Sequence, residues 1–280
     1  MEQLIRFVKK VIKVASKPEM RVLPGQLAFF FFLSTIPLVA LIGAIVANFS
    51  IPVAEMQRFI HIMLPDSVAE FLFSIKSYTT INFNIIIFFI IAFILASNGT
   101  HSMIITSNEV YKIESSHYIR RRLKAIGMVF ILVGVLVFLM LVPAYGDTIF
   151  KILYEFTDSD SLIQLLHSIY RIFKYPLSVV VIYFNIKLLY VMAPDKKIKS
   201  RSTTKGALFT TISWIIATEI YMFYVNKFAA YDLFYGSISN VIVLLLWMYI
   251  LSYFFVLGIA LNVSGTKEED IERTRKISLK

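Results

Sequence analysis

The chain contains no cysteine, which excludes disulfides, thiol nucleophiles and cysteine metal sites and leaves the redox compartment open. Histidine is scarce: His61, His101, His117 and His167 are dispersed and form no adjacent ligand motif. A metal-dependent nuclease needs clustered His and Asp ligands to activate water, so soluble nuclease chemistry of that kind is excluded. No phosphate-cradling P-loop, HExxH or GxSxG segment occurs. The sequence therefore points to no enzyme, no cofactor and no bound metal, although an intramembrane reaction using Glu219 or His101 is left open. Charged residues make up only 16% of the chain, and no stretch the size of a soluble domain lies between the apolar runs.

What the chain has in abundance is apolar length. Hydrophobic residues account for 58% and aromatics for 15% of its 280 positions, and the mean hydropathy is +0.74; soluble domains are usually about 45–50% apolar. Roughly 20 apolar residues cross a bilayer as a helix, covering its ~30 Å core with all backbone hydrogen bonds kept internal. Six stretches qualify: 27–49, 85–105, 125–145, 177–193, 206–225 and 238–261. They predict an all-α, polytopic membrane bundle over 25–263, between a basic amphipathic segment at 1–24 and a charged tail at 264–280. The first stretch has 23 residues, longer than the ~7–15-residue apolar region of a cleavable signal, and is read as an uncleaved helix.

The basic residues alternate between connections. The N-terminal segment, the second and fourth connections and the C-terminal tail hold 21 of the 28 Lys and Arg, which by the positive-inside rule places both termini in the cytoplasm. The formal charge of +10 is thus an address on one membrane face, and no nucleic-acid partner is expected. Lys9, Lys10, Lys13, Arg120, Arg121 and Arg122 are the expected contacts for anionic phospholipid head groups. Residues 1–17 carry an apolar stripe with the basic residues mostly elsewhere, the pattern of a helix lying on the bilayer surface. Similar stripes at 53–64, 66–79 and 162–173 read as short helices capping the outer face or binding a partner, and Asn226–Ser237 as a tight aromatic hairpin.

Polar side chains at membrane depth are costly and usually face a bundle interior or a watered cavity. Lys187 lies about 10 Å and Glu219 about 20 Å from the cytoplasmic ends of their helices, so a direct pair must bridge that offset. Lys187 can instead extend its stem to the surface, and Tyr183 lies near the depth of Glu219 and can donate a hydrogen bond to it. Asn98 and His101, within the polar run Ser97–Ser102, share their depth with Asn185 and Lys187. Two readings follow: a polar cavity open to the cytoplasm, or helices fastened together by small polar side chains. Pro37 removes a backbone donor within the first span, a kink that serves either gating or packing; Ser34 or Thr35 is positioned to satisfy a freed carbonyl.

Several segments resemble the YihY/BrkB family of bacterial inner-membrane proteins, once labelled ribonuclease BN. They are Lys205-Gly206-Ala207-Leu208 through Trp214, Tyr224-Val225, Tyr235-Gly236-Ser237, Leu244-Leu245-Leu246-Trp247-Met248-Tyr249, Leu257-Gly258 and Leu261-Asn262. Leu27-Ala28-Phe29 to Ser34 and Pro37, then Asn108-Glu109-Val110-Tyr111 and Arg121-Arg122-Leu123, are similar to earlier parts of the family pattern. Where that family commonly has Glu after Gly-Ala in the last helix, this chain reads Gly258-Ile259-Ala260, so a role for that acid does not carry over. The resemblance implies a six-helix, multi-pass protein of the bacterial inner membrane concerned with lipid or lipid-linked envelope material. The expected activity is that of a transporter or flippase-like protein, with a homo-oligomer as one arrangement; the competing expectation is a non-transporting scaffold for envelope machinery.

Overall fold

The computed structural model describes residues 2–48, 83–156, 176, 179–228 and 239–278. The expected outer segments 53–64, 66–79 and 162–173, and residues 229–237 of the expected hairpin, lie outside them.

Helix α1 (Glu2–Ala15) stops where Ser16 turns both its N–H and its Oγ back onto the Ile12 carbonyl, at 3.0 and 2.9 Å. Its apolar arc is shared. Val14 is buried with Val11 and Ala15 packed beside it, whereas Ile5, Val8 and Ile12 are exposed next to exposed Lys9 and Lys13. One flank thus anchors the helix to the protein, and the other presents the apolar-plus-basic strip of an interfacial helix. Pro18 precedes α2 (Glu19–Asn48), where an amide hydrogen is dispensable, and Glu19 sets a carboxylate on its positive end.

α2 stays helical through Pro24 and Pro37. The carbonyl freed by Pro37 is that of Leu33, four residues back. The adjacent hydroxyls are used elsewhere: Thr35 Oγ1 donates to the Phe31 carbonyl at 2.8 Å, and Ser34 Oγ accepts the Gly99 N–H at 2.7 Å.

α3 (Phe83–Tyr111) turns a seam of small residues inward, with Ala92, Ala96, Gly99 and Thr100 buried. A Cβ at Gly99 would lie 3.1 Å from Ser34 Oγ and 3.2 Å from the Phe31 ring; glycine therefore lets α2 and α3 approach closely. The helix ends in a Schellman turn: Lys112 is left-handed (φ 56), its N–H donates to Glu109 at 3.2 Å, and the Ile113 N–H reaches Asn108 at 2.9 Å. Then follow α4 (Tyr118–Phe156), α5 (Val179–Met192), a 3-10 turn at Ser200–Thr203, α6 (Thr204–Phe228) and α7 (Ser239–Ser278). Residues 264–278, expected as a charged tail, continue α7 as helix.

α7 is the central element. It packs on α1, α2, α3 and α6, while α2 and α4 pack on α3. The core where they meet includes Leu27, Ile104, Met128, Ile186, Tyr190, Phe255 and Ile259, all buried. Around it the usual distribution is reversed. Ile90, Ile91, Ile94, Leu95, Phe130, Val180, Phe184, Ile212, Ile216, Ile220 and Phe223 are exposed, whereas Ser34, Ser97, Thr100, Ser102, Thr106, Ser107, Thr210, Thr211 and Ser252 are buried. Apolar outside with small polar residues inside is the arrangement of helices in lipid, where association relies on close packing and interhelical hydrogen bonds. Among the described residues there is no strand. Within the described residues three segments, Ile90–Tyr111, Ser200–Tyr224 and Val241–Ser264, are long and apolar enough to cross a membrane, and Val179–Met192 is apolar but shorter.

Candidate functional site

One end of the bundle gathers the polar chemistry: the start of α2, the α3–α4 connection, the α5–α6 connection and the turn of α7 at Asn262. Its firmest element is Asp195, just past Pro194 where α5 has stopped. Asp195 Oδ2 accepts Asn108 Nδ2 at 2.8 Å and the Ser116 N–H at 2.9 Å, and its own N–H donates to Asn108 Oδ1 at 2.9 Å. Lys124 Nζ reaches Asp195 Oδ1 at 3.1 Å and the carbonyls of Ala193 and Pro194 at 2.9 and 2.8 Å. Burial works against the Asp195 carboxylate, but the bonds from Ser116, Asn108 and Lys124 outweigh it and hold its pKa at about 2. Burial also lowers the pKa of Lys124, partly offset by its bonds to Asp195. At the rim, Lys112 pairs with Glu19 at 3.1 Å; hydrogen bonding from its own backbone, then Lys112, lowers the Glu19 pKa.

A second knot ties α5, α6 and α7. Tyr190 Oη shares a 2.7 Å hydrogen bond with Thr210 Oγ1 and donates to the Phe255 carbonyl at 2.8 Å. The Gly206 N–H, one of the first-turn donors that an α-helix leaves unsatisfied, is taken by Asn262 Oδ1 at 2.8 Å. Any Cβ at Gly206 would collide with the Gly258 carbonyl and Asn262, and one at Gly258 with Thr210 and Tyr190.

The polar run of α3 faces α4. Its hydroxyls bond within and between helices: Ser97 Oγ donates to the Ile94 carbonyl of its own helix at 2.7 Å, and Thr100 Oγ1 fastens α3 to α4 through the Ala125 carbonyl at 2.8 Å. Asn98 and His101 are different. Arg122 forks across one turn of α3, donating through Nη1 to Asn98 Oδ1 at 2.9 Å and through Nη2 to the Ile94 carbonyl at 2.8 Å. The His101 ring sits edge-to-face with Tyr118, 5.7 Å between centroids, within electrostatic reach of Arg121, Arg122 and Asp195. His101 Nε2 and Arg121 Nε are buried without a hydrogen-bond partner among the described residues.

The remaining expected site residues fall elsewhere. Lys187 lies over the Tyr183 ring, 5.8 Å from its centroid, one turn along α5. Asn185 is half-buried on the same helix. Glu219 is exposed on the stripe of α6 that carries Ile212, Ile216 and Phe223; α6 packs chiefly on α7. Pro37 is half-buried within α2. Among the expected lipid contacts, Lys9, Lys13 and Arg120 are exposed, Lys10 and Arg121 are half-buried, and half-buried Arg122 directs two donors onto α3. No three His, Asp or Glu side chains cluster as metal ligands among the described residues.

Asn108, Lys124, Tyr190, Asp195 and Thr210 were not foreseen as site residues. Lys124 reads in sequence as one more topology charge, and the signal for Asp195, an acid after Ala-Pro and before Lys196-Lys197, becomes legible only with Asn108 beside it.

The profile of the family described as virulence factor BrkB matches residues 11–278. The chain is similar to the ribonuclease-like protein YfkH of Bacillus subtilis, 30% identical over 260 residues that cover 91% of this chain and 94% of that protein. It is also similar to a UPF0761 membrane protein of Chlorobium luteolum, 24% identical over 236 residues, 81% of this chain and 52% of that protein. A UPF0761 membrane protein of Pseudomonas paraeruginosa is 32% identical over 90 residues, 32% of this chain and 22% of that protein. No solved structure matches.

Proposed function

Because this chain belongs to the virulence factor BrkB family, a family of membrane proteins, we propose that it acts in the bacterial inner membrane as a transporter or flippase-like protein for a lipid or lipid-linked envelope substrate. In this reading it is a six-span, multi-pass protein with both termini in the cytoplasm, and it performs no covalent chemistry of its own. Transport is then passive, ion-coupled or driven by a partner.

The observation that carries the reading is the composition of α3. A segment long and apolar enough to cross a membrane holds Asn98 and His101, and two arginines of α4 converge on them. Polar side chains at membrane depth are expensive and mark substrate pathways by default, and here Arg122 reaches Asn98 from the first turns of α4. The exposed apolar strip of α3 suits contact with acyl chains. A scaffold needs only the fastening already supplied by Thr100, Tyr190 and Asn262.

The test is reconstitution in vesicles containing a trace of fluorescent phospholipid, with the inner-leaflet fraction followed by dithionite quenching. Wild type should speed redistribution over protein-free vesicles, and Asn98→Ala and Glu219→Gln should slow it. Equal rates with and without protein, across anionic and zwitterionic lipids, sink the transport reading.

A further inference from the structure

We propose that His101, Arg121 and Arg122 form a cradle for a phosphate ester, the head group of an anionic phospholipid or lipid-linked phosphate entering from the basic end of the bundle. This deepens the lipid reading above and rests on it for its biological meaning. Four observations lead to the cradle.

The first is unsatisfied donor capacity. Buried polar atoms are nearly always hydrogen-bonded, yet His101 Nε2 and Arg121 Nε, on facing helices, both lack a partner among the described residues. The second is uncompensated charge. The carboxylate that acts on His101 is Asp195, and its oxygens are already taken by Asn108, Ser116 and Lys124. Among the described residues Glu19 pairs with Lys112 and Asp195 with Lys124, and no described acid pairs with either arginine.

The third is preorganisation. Arg122 is fixed by its fork on Asn98 and Ile94, and His101 is held against Tyr118. A guanidinium presents planar donors that match phosphate oxygens two at a time, and an imidazole N–H supplies a third. The fourth is the surroundings. Exposed Ile90, Ile91, Ile94 and Leu95 on α3 and Ile119 and Leu123 on α4 lie beside the cradle, where an acyl tail would follow the head group. A free phosphate has no use for them.

The test uses the full chain in phosphatidylcholine vesicles carrying trace spin-labelled phosphatidic acid or spin-labelled phosphatidylcholine, reading the motionally restricted fraction. Wild type should retain phosphatidic acid in preference to phosphatidylcholine. R121Q should reduce that preference about tenfold, the scale of one charge-assisted hydrogen bond, and H101A should reduce it several-fold. R121K retains charge and fold and should still lose at least threefold, because it lacks the fork. K197Q, an exposed cation of the same end, should leave it within twofold.

An unchanged preference in R121Q, R121K and H101A overturns the cradle, as does an equal loss in K197Q, which would mean diffuse surface charge. Millimolar inorganic phosphate separates the sources: displacement of the lipid assigns the cradle to phosphate itself, and persistence assigns it to the lipid-anchored head group. Selective retention without redistribution in the quenching assay would keep the cradle and remove transport. Redistribution that persists in R121Q with selectivity unchanged would keep transport and remove the cradle.

Discussion

Asn108 and Asp195 hold each other twice: the Asn108 amide donates to the carboxylate at 2.8 Å, and the Asp195 N–H donates back to the Asn108 carbonyl oxygen at 2.9 Å. The pair joins the last turn of α3 to the chain leaving α5, and Lys124 adds α4 to the same carboxylate.

Removing the acid leaves Lys124, only 24% exposed, without its counter-charge. Asp195→Ala should therefore lower stability by about 2–4 kcal/mol, the cost of breaking a largely buried pair. In a double-mutant cycle Asp195→Ala with Lys124→Met should lose clearly less than the sum of the single losses. Thermal unfolding of the purified protein in detergent measures both; additive losses would mean that the two groups are not coupled.

The same carboxylate gives a signed pH dependence. Its folded pKa is about 2 against an ordinary value of 3.8, so the contribution is fully present above about pH 4 and disappears as pH falls through about 2. That depression corresponds to about 2–3 kcal/mol. Wild type should lose stability over that window more steeply than Asp195→Asn. Lys124 is shifted in the alkaline range and does not enter it.

The Gly206–Gly258 crossing should tolerate no side chain. Gly206→Ala drives a methyl into backbone and should cost about 1–3 kcal/mol or more, with loss of the α6–α7 junction. Gly127→Ala and Gly134→Ala on α4, where a Cβ meets nothing within 4 Å, should be neutral or gain up to about 1 kcal/mol. Melting temperatures of the three single variants decide this.

Lys112 occupies a left-handed position that glycine adopts freely, at a cost to lysine of about 1 kcal/mol. Its exposed pair with Glu19 returns at most about 1 kcal/mol at low salt. Lys112→Gly should therefore be near neutral in dilute buffer and stabilising in 0.5 M salt, where the pair is screened. A salt-independent effect would show that the pair contributes nothing.

Much of the helical frame was legible because apolar length and charge alternation are local signals. α1 was visible from its stripe, and the cores of α2 to α7 from their apolar runs. The helix ends were less visible: α3 outlasts its apolar run to Tyr111 and α7 runs to Ser278, since helix continues wherever nothing breaks it. Asn98 and His101 were singled out for their depth, but their partners were not, because a guanidinium spanning two helices leaves no periodic trace. Arg121 and Arg122 read alike as lipid-facing charges in the sequence. The fold separates them, turning two donors of Arg122 onto Asn98 and Ile94 and burying Arg121 Nε. Asp195 was hidden among lysines, and only the meeting of two connections distant in sequence gives it its role.

The absence of cysteine makes orientation directly measurable. A single cysteine at exposed Lys196 should react with membrane-impermeant maleimide only after cells are opened, and one at Ser161 in intact cells. Ser116 is a poorer probe, because its Oγ is buried. The reverse labelling pattern would invert the topology.

The central claim is that the basic end of this bundle takes a phosphate-bearing lipid. It is tested most directly by placing a photo-crosslinking amino acid at Tyr118, beside His101, in living cells and identifying the adducts by mass spectrometry. The account predicts lipid adducts at Tyr118 enriched in anionic phospholipid or lipid-linked phosphate relative to a probe at Ile220 on the exposed strip of α6. Identical lipid profiles at the two positions, or no lipid adduct at Tyr118, would contradict it.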